Sequence, residues 1–495
     1  MINLKKSTHR YLIVLCLFFI STVFLSLSSR LVHPQATIDG AYYHIMAGQL
    51  EKGAGFTEPF IWHFLSDYNN LEHPMDYWMP LGIVFFFLAR LCAGVAGEIW
   101  LNFVVWSILS VLVFIEVKKI TNSFLNAAFA YCTMLFCGRY LFYLLTTDNM
   151  AFYALFGFFL FKQLGSKKSR WYFTAVISAL VALTRIEGFL IALFCGLCEF
   201  YRCRRITAFA GYLIILSIAL SPWMIRNYQT LGHPWPSNSK ALFLRQYDDM
   251  FRRNATLTLD NYLSLGSKKI LEQKARGIGL SILNLVIAPG MFVMYPFWLA
   301  GLLKLWKQGG KFFFLLLVFF VIFCGLVIPI QSDKGSALHI SAFFLPFYAI
   351  LNGVGFSMLK EHYQMRRSRY LLISSIVVLW LMFASHYSVN RLVNEYAADN
   401  GPYESLFAEI SFDERRIVSS APVKVYLETC AQGVISSSYN ESEPLKLADA
   451  FACDVIITDR RASGYKPLPK ASGWQEIASN TYLNVFFRRS TMHNK

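Results

Sequence analysis

Long apolar runs, separated by short polar segments, fill the chain from its N-terminus to about residue 390. Runs of roughly 17 to 25 residues recur, which is the length that an α-helix needs to cross the hydrocarbon layer of a bilayer. We therefore predict a polytopic α-helical membrane protein with about eleven spans. The predicted spans lie near residues 11–31, 98–117, 123–145, 149–165, 171–186, 188–201, 206–223, 280–303, 312–331, 336–358 and 370–387.

Clusters of lysine and arginine recur between these spans. With a cytoplasmic N-terminus, every cluster faces the cytoplasm, as the positive-inside rule requires. The clusters are Lys118 with Lys119; Lys167, Lys168 and Arg170; Arg202, Arg204 and Arg205; Lys304 with Lys307; and Lys360 with Arg366, Arg367 and Arg369. The pattern predicts a multi-pass protein of the plasma (inner) membrane, with loops 32–97 and 224–279 and the C-terminal segment extracytoplasmic.

A further apolar run, residues 80–97, would invert every later basic loop if it crossed the membrane. We therefore predict that it lies in the plane of the outer membrane face, or is re-entrant, within the first external loop. The segment 46–52 of the same loop has the pattern of a short amphipathic helix.

From about residue 390 the composition becomes that of a soluble domain. Short β-type runs at 416–419, 433–437 and 454–458 alternate with helical stretches, and another run lies at 482–487. This order predicts a small α/β domain with parallel strands. The chain is thus divided into a transmembrane catalytic domain, 1–389, and an extracytoplasmic domain, 390–495. Cys430 and Cys453 each precede a predicted strand, and either a disulfide or two free thiols would fit.

The composition agrees with a membrane protein. Of 495 residues, 56% are hydrophobic and 15% are charged. The formal charge of +16 would also suit nucleic acid, but basic cytoplasmic loops raise the charge of a membrane protein without any anionic partner. We expect contact with membrane lipids and none with nucleic acid.

Charged residues near helix ends mark functional sites in membrane proteins more often than charges on soluble surfaces do. Here they gather on the predicted outer side, which indicates a shared extracytoplasmic cavity. The candidates are Asp39, His73, Asp76, Asp148, Arg185, Glu187, Arg226, Lys334 and His339.

Two of the acids have a structural alternative. Asp39 follows the first predicted span and could serve as a general base toward an acceptor hydroxyl. It could equally cap the N-terminus of the helix that follows, and Asp148 could cap the next span in the same way. The sequence leaves both interpretations open.

Arginine holds phosphate well through forked hydrogen bonds. Arg185 and Glu187 occupy a tight turn between two predicted spans, and Arg226 ends another. An interfacial ion pair is the alternative for the first two. We predict a donor-phosphate site made by Arg185 and Arg226 with Lys334 or His339.

Several motifs, taken in order, resemble those of the GT-C superfamily of membrane glycosyltransferases, especially the aminoarabinose transferases, the protein O-mannosyltransferases and the Rgt-type transferases. The resemblance covers about residues 8–390. Its motifs are Asp39-Gly40-Ala41-Tyr42-Tyr43, His73-Pro74-Met75-Asp76-Tyr77-Trp78-Met79-Pro80, Thr147-Asp148, Thr184-Arg185, and Pro222-Trp223-Met224-Ile225-Arg226-Asn227-Tyr228 with Gly232-His233-Pro234.

The resemblance implies transfer of a hexosyl or pentosyl group from a polyprenyl-phosphate-linked sugar to a glycan, lipid or protein acceptor. It implies Asp39 and Asp148 at the catalytic centre and basic residues, including His73, at the donor phosphate. Tyr43, Asp76 and Glu187 are further site candidates. No cofactor is certain, and a divalent metal stays open.

A transporter or flippase of lipid-linked saccharides is the competing hypothesis, and a non-catalytic membrane scaffold is a third. Transporters usually show repeats and helices broken near the bilayer midplane. Here the polar residues lie in long loops on one predicted face, which favours the enzyme.

Overall fold

The computed structural model describes residues 2–166, 170–412, 415–436, 443–461, 467–468 and 473–489, and side chains from residue 11 onward. Most of the described chain is helical. The α-helices are Ile2–Ser28, Ile38–Glu51, Leu81–Thr121, Phe124–Leu135, Tyr140–Leu144, Met150–Gly165, Trp171–Thr184, Gly188–Cys203, Ile206–Leu231, Leu259–Leu263, Ser267–Ile282, Ala288–Gly290, Tyr295–Leu305, Gly310–Ile322, Pro329–Asp333, Ser336–Ala342, Leu345–His362, Arg367–Glu409, Pro422–Thr429 and Glu443–Ala450. The strands are Thr57–Glu58, Phe60–Ile61, His73–Pro74, Arg416–Ser419, Gln432–Ile435, Val455–Asp459, Trp474–Ser479 and Leu483–Arg488.

Five described helices are long and apolar enough to cross a membrane, and two bent helix pairs raise the number to seven. Three shorter apolar helices lie among them. Each predicted span overlaps a helix, but several of these helices are short or broken, so the figure of eleven crossings stays a prediction. The five are Tyr11–Leu31, Leu81–Thr121, Ile206–Leu231, Gly310–Val327 and Arg367–Glu409. Lys167 and Lys168, which belong to a predicted cytoplasmic loop, lie outside the described residues.

The helix Leu81–Thr121 contains a break. Ala93 and Gly94 have non-helical backbone angles, and Gly94 has φ 64°, a value that glycine adopts without a Cβ clash. The break falls within the run 80–97 that we predict to lie in the membrane plane, just before the predicted span 98–117. Its orientation relative to the membrane stays a prediction.

A six-stranded sheet forms the core of the C-terminal region. Its order is Phe60–Ile61, Gln432–Ile435, Arg416–Ser419, Val455–Asp459, Leu483–Arg488 and Trp474–Ser479. The first four strands run parallel to one another. Leu483–Arg488 is antiparallel to both of its neighbours, Val455–Asp459 and Trp474–Ser479. The predicted parallel α/β core is therefore present among the described residues. Ser437, which the sequence places in the second predicted strand, lies outside them.

The edge strand Phe60–Ile61 comes from residues 32–80, the part of the predicted external loop 32–97 that precedes the helix Leu81–Thr121. This part is called the first loop below. The strand pairs in parallel with Gly433 and Val434, and Ile61 packs in one apolar cluster with Val434 and Phe451. The division proposed at residue 390 falls inside the helix Arg367–Glu409. The first loop and the C-terminal region thus share a sheet and a core. Cys430 and Cys453 are free thiols.

Candidate active site

Asp39 lies in the first turn of the helix Ile38–Glu51. The N-terminal cap of that helix is Thr37, whose hydroxyl accepts a hydrogen bond from the backbone N–H of Gly40 at 2.9 Å. Thr37 therefore fills the capping role that the sequence leaves open for Asp39. The Asp39 carboxylate lines a cavity instead.

Asp148 lies in the turn before the helix Met150–Gly165. Its Oδ1 accepts a hydrogen bond from the backbone N–H of Met150 at 3.1 Å, which matches the capping interpretation. Its Oδ2 is buried and has no hydrogen-bond partner among the described residues. One oxygen thus serves the helix and the other points to the site.

His339, on the helix Ser336–Ala342, lies between the two carboxylates. Its Nε2 is 3.3 Å from Oδ2 of Asp39, and its Nδ1 is 3.7 Å from Oδ2 of Asp148. The ligand atoms of the three residues lie within 4.8 Å of one another. Residues from three distant parts of the chain therefore form one cluster, which we call the acid–histidine cluster: Asp39, Asp148 and His339.

The acid–histidine cluster fits a divalent cation. Carboxylate oxygens and imidazole nitrogens are common ligands of divalent transition metals. Nδ1 of His339 and Oδ2 of Asp148 are both buried without a hydrogen-bond partner in the described part of the chain. A bound cation would satisfy both atoms, so the predicted openness to a divalent metal is consistent with the structure.

Burial raises the pKa of both carboxyl groups, because a charged carboxylate is poorly solvated away from water. Burial raises the pKa of Asp39 to about 6. The positive charge of Arg185 opposes this rise, and the negative charge of Glu187 adds a smaller increase. For Asp148, burial and then the negative charge of Asp39 raise the pKa to about 8, against the charge of Arg185. The pair therefore shares one proton near neutral pH.

Arg185 follows the helix Trp171–Thr184 and is only 5% exposed. Its Nη2 donates a hydrogen bond to Oε1 of Glu187 at 3.3 Å, so the interfacial ion pair is present. Its Nε and Nη1 are buried and have no hydrogen-bond partner among the described residues. Unpaired buried donors are costly, and an anion in the cavity would satisfy them.

A cavity of about 630 Å³ connects these groups. Asp39, Arg185 and His339 form part of its wall, while Asp148 and Glu187 lie behind that wall. The remaining wall comes from the first loop, from the segments around Tyr247, Lys334 and Tyr396, and from the C-terminal sheet region. It includes Trp62, Tyr77, Trp78, Tyr247, Lys334, Tyr396, Pro422, Lys424 and Ser436. The Nζ of Lys334 lies 5.3 Å from the ring centre of Tyr247.

Arg226 does not line this cavity. Its Nη1 donates to the carbonyl of Met75 and its Nη2 donates to the carbonyl of Phe56 at 2.7 Å. Its guanidinium also lies 4.9 Å from the ring centre of Trp223. Arg226 therefore links two backbone segments of the first loop and does not join Arg185 in the cavity.

His73 and Asp76 belong to a buried network inside the first loop. Asp76 accepts hydrogen bonds from Ser66 at 2.6 Å and from Tyr68 at 3.0 Å, and it lies 3.4 Å from His63. Burial lowers the pKa of His73 to about 4, which favours a neutral ring. The network does not line the cavity.

Tyr43, the remaining predicted residue, is fully buried. Its hydroxyl accepts a hydrogen bond from the side-chain amide of Asn149 at 2.6 Å, which joins the first loop to the turn that carries Asp148. Tyr43 therefore supports the acid–histidine cluster indirectly, through the turn that carries Asp148.

The sequence prediction missed the C-terminal contribution to the cavity. Lys424 and Ser436 follow neighbouring parallel strands, and the carboxyl ends of such strands commonly form binding sites. The polar segment Ser419-Ser420-Ala421-Pro422 at the end of a buried strand is a signal that could have revealed this wall.

Comparisons with known proteins give matches to solved structures. Neither a protein-family model nor a curated protein matches the chain. The structure is similar to the oligosaccharyltransferase of Archaeoglobus fulgidus in complex with Zn and sulfate, with 12% identity, TM-score 0.44, and coverage of 94% of this chain and 72% of that one. It is also similar to ArnT from Cupriavidus metallidurans in the apo state, with 13% identity, TM-score 0.42, and coverage of 97% and 98%.

The same ArnT bound to undecaprenyl phosphate matches with 12% identity, TM-score 0.41, and coverage of 96% of this chain and 97% of that one. The archaeal oligosaccharyltransferase and ArnT are both GT-C glycosyltransferases.

Proposed function

We propose that this chain is a membrane glycosyltransferase that moves a sugar from a polyprenyl-phosphate-linked donor to an extracytoplasmic acceptor. The observation that carries the proposal is the placement of a buried guanidinium, Arg185, with two unpaired N–H donors, in one cavity with the carboxylate of Asp39. An anion-binding group beside a carboxylate with a raised pKa is what such a transfer needs.

The proposed reaction exchanges one C–O bond for another. The acceptor hydroxyl gives its proton to Asp39 while its oxygen bonds to the anomeric carbon of the sugar. The bond between that carbon and the phosphate oxygen breaks, and the polyprenyl phosphate leaves with the electron pair. Arg185 holds the phosphate through its unoccupied N–H groups, where charge develops in the transition state.

The acid–histidine cluster supports this step. Oδ2 of Asp39 faces His339, which leaves Oδ1 for the acceptor proton. Asp39, Asp148 and His339 would hold a divalent cation, and such an ion, when bound, supplies positive charge near the departing phosphate. Trp62, Tyr77 and Trp78 line the same cavity and offer flat apolar faces to sugar rings.

The proposal is tested in a strain from which the gene is deleted. Mass spectrometry should find the lipid-linked sugar accumulated and the acceptor lacking one sugar. The wild-type gene should restore both, and Asp39→Asn should restore neither, although its membrane level is normal. Asp260→Asn, at an exposed acid in the first turn of Leu259–Leu263, is the matched control and should complement.

Normal transfer by Asp39→Asn would reject this function. A flippase is distinguished by the location of the donor, because its loss leaves the lipid-linked sugar on the cytoplasmic leaflet. Loss of the proposed transferase leaves the donor accessible from outside.

A further inference from the structure

The C-terminal wall of the cavity is built on the ends of two adjacent parallel strands. Arg416–Ser419 is followed by the helix Pro422–Thr429, and Gln432–Ile435 is followed by Ser436. Residues 420–424 and Ser436 all line the cavity that contains Asp39. This wall, residues 420–424 with Ser436, is called the C-terminal wall below.

The helix Pro422–Thr429 begins without a side-chain cap. Its N-cap residue is Ala421, which has no side-chain oxygen, and Pro422 follows at the first helical position. The N–H groups of the first turn of a helix lack intrahelical acceptors, and the helix dipole places partial positive charge there. This end of the helix therefore favours a negative group.

Ser436 provides an independent observation. It is only 7% exposed, and its Oγ has no hydrogen-bond partner among the described residues. Its backbone N–H is used, because it donates to the carbonyl of Ser419 at 3.0 Å. A buried hydroxyl without a partner indicates that a ligand atom completes its hydrogen bonding.

Lys424 adds a full positive charge to the same wall. Its Nζ lies 5.5 Å from the ring centre of Tyr396 and 5.6 Å from that of Tyr403. Within the described chain it makes no ion pair, and the nearby carboxylate Asp399 lies 3.7 Å from Arg461 instead. Burial lowers the pKa of Lys424, because its ammonium is partly removed from water. Asp399, Asp459 and Glu404 already oppose this shift with their negative charge, and a bound anion would stabilise the ammonium further.

We propose that the C-terminal wall binds an anionic group, a phosphate or a carboxylate, carried by the acceptor. The proposal rests on the proposed function, in which Arg185 takes the donor phosphate and Asp39 takes the acceptor proton. An acceptor whose hydroxyl reaches Asp39 while its anion lies on the C-terminal wall is an acidic glycan or a phosphorylated lipid. A neutral acceptor would leave Lys424 and Ser436 unused.

The same anion chemistry could come from the donor lipid, so the test uses two probes on the full chain in detergent. Undecaprenyl phosphate is titrated first by calorimetry, and inorganic phosphate is then titrated with the lipid in excess, so that the Arg185 site is already filled. Ser436→Ala and Lys424→Met should each weaken phosphate binding by about tenfold and change undecaprenyl phosphate binding by less than about twofold. Arg185→Met should give the opposite pattern. Ser405→Ala and Lys52→Met, at exposed positions, are matched controls.

A second variant excludes a purely structural effect. Ala421→Asp supplies an internal carboxylate at the N-cap, so it should raise the melting temperature while abolishing phosphate binding. Unchanged phosphate affinity in both Ser436→Ala and Ala421→Asp would overturn the anion site. Weakened undecaprenyl phosphate binding in those variants would assign the site to the donor and overturn the acceptor assignment.

The two proposals can fail separately. If undecaprenyl phosphate does not bind the wild-type protein but inorganic phosphate binds through Ser436, the proposed donor is wrong and the acceptor assignment falls with it. If undecaprenyl phosphate binds through Arg185 and inorganic phosphate does not bind at all, the proposed function stands and the C-terminal wall is not an anion site.

Discussion

Arg185 donates a hydrogen bond to Glu187, with Nη2 3.3 Å from Oε1, and keeps Nε and Nη1 unpaired within the described structure. Nε and Nη1 lie on different edges of the guanidinium, and each edge also includes one N–H of Nη2. Glu187 fixes the plane of the guanidinium through one of the Nη2 N–H groups and leaves the other edge for a ligand. This geometry suits a phosphate bound through two parallel N–H donors.

Replacing Arg185 by lysine should weaken binding of undecaprenyl phosphate by at least about tenfold, because an ammonium cannot reproduce the forked contact. Calorimetry on the detergent-purified protein measures this. Arg170→Met, at the exposed start of the helix that Arg185 follows, should bind normally. Equal affinities in Arg185→Lys and the wild type would remove Arg185 from the donor site.

The rate of transfer should fall as the pH drops through about 6. Asp39 acts as a base only when ionised, and its folded pKa is raised to about 6, so it becomes protonated at a higher pH than an ordinary aspartate. Below that value the rate should fall about tenfold per pH unit. Initial rates of sugar transfer between pH 5 and pH 8 test this, and a flat profile would contradict a base role for Asp39.

Divalent metal should stabilise the protein through His339. A ligand that binds only the folded state raises the melting temperature in proportion to its binding free energy. Zn²⁺ or Mn²⁺ added after treatment with a chelator should therefore raise the melting temperature of the wild type but not of His339→Ala. His362→Ala, at an exposed histidine, is the control. An equal shift in His339→Ala would place the metal elsewhere.

Arg226→Met should destabilise the first loop. The guanidinium donates to the carbonyls of Met75 and Phe56, and hydrogen bonds from a charged donor contribute about 1.5–3 kcal/mol each. We expect a lower melting temperature with undecaprenyl phosphate affinity unchanged in the protein that remains folded. A selective loss of lipid binding at a normal melting temperature would instead support the sequence-based role of Arg226 at the donor phosphate.

The break at Gly94 bears on topology. If residues 80–97 stay on the outer face, a reagent confined to the outside should label both Asn70→Cys, which precedes this run, and Ala96→Cys, near its end; both positions are exposed. Lys119→Cys should be labelled only after the membrane is opened. Labelling of Ala96→Cys only after permeabilisation would show that the run crosses the membrane.

The helices and the parallel strands are predictable because their signals are local. Apolar length predicts helices, and alternation of β-type and helical stretches predicted Arg416–Ser419 with the bounds that the structure shows. Thr37, two residues before Asp39, is also a readable cap, and the sequence analysis considered only Asp39 for that role. A two-residue strand such as Phe60–Ile61 carries no periodic signal.

The site itself depends on contacts between distant segments. Asp39, Asp148 and His339 were each predicted, but nothing local shows that His339 stands between the two acids. Likewise, Arg185 and Arg226 are both arginines on the same predicted side of the membrane, so the sequence does not distinguish them. Only the packing of the first loop distinguishes a guanidinium with two unpaired nitrogens among the described residues from one occupied by backbone carbonyls.

The strand Phe60–Ile61 sets an order of events during synthesis of the chain. This strand emerges early from the ribosome, but its partner, Gln432–Ile435, follows the last long apolar helix, Arg367–Glu409. The edge strand of the loop that carries Asp39 therefore cannot pair until almost the whole chain has been synthesised and inserted. A nascent or truncated chain that lacks residues 432–435 therefore leaves the backbone groups of Phe60 and Ile61 without the strand that they pair with in the folded protein.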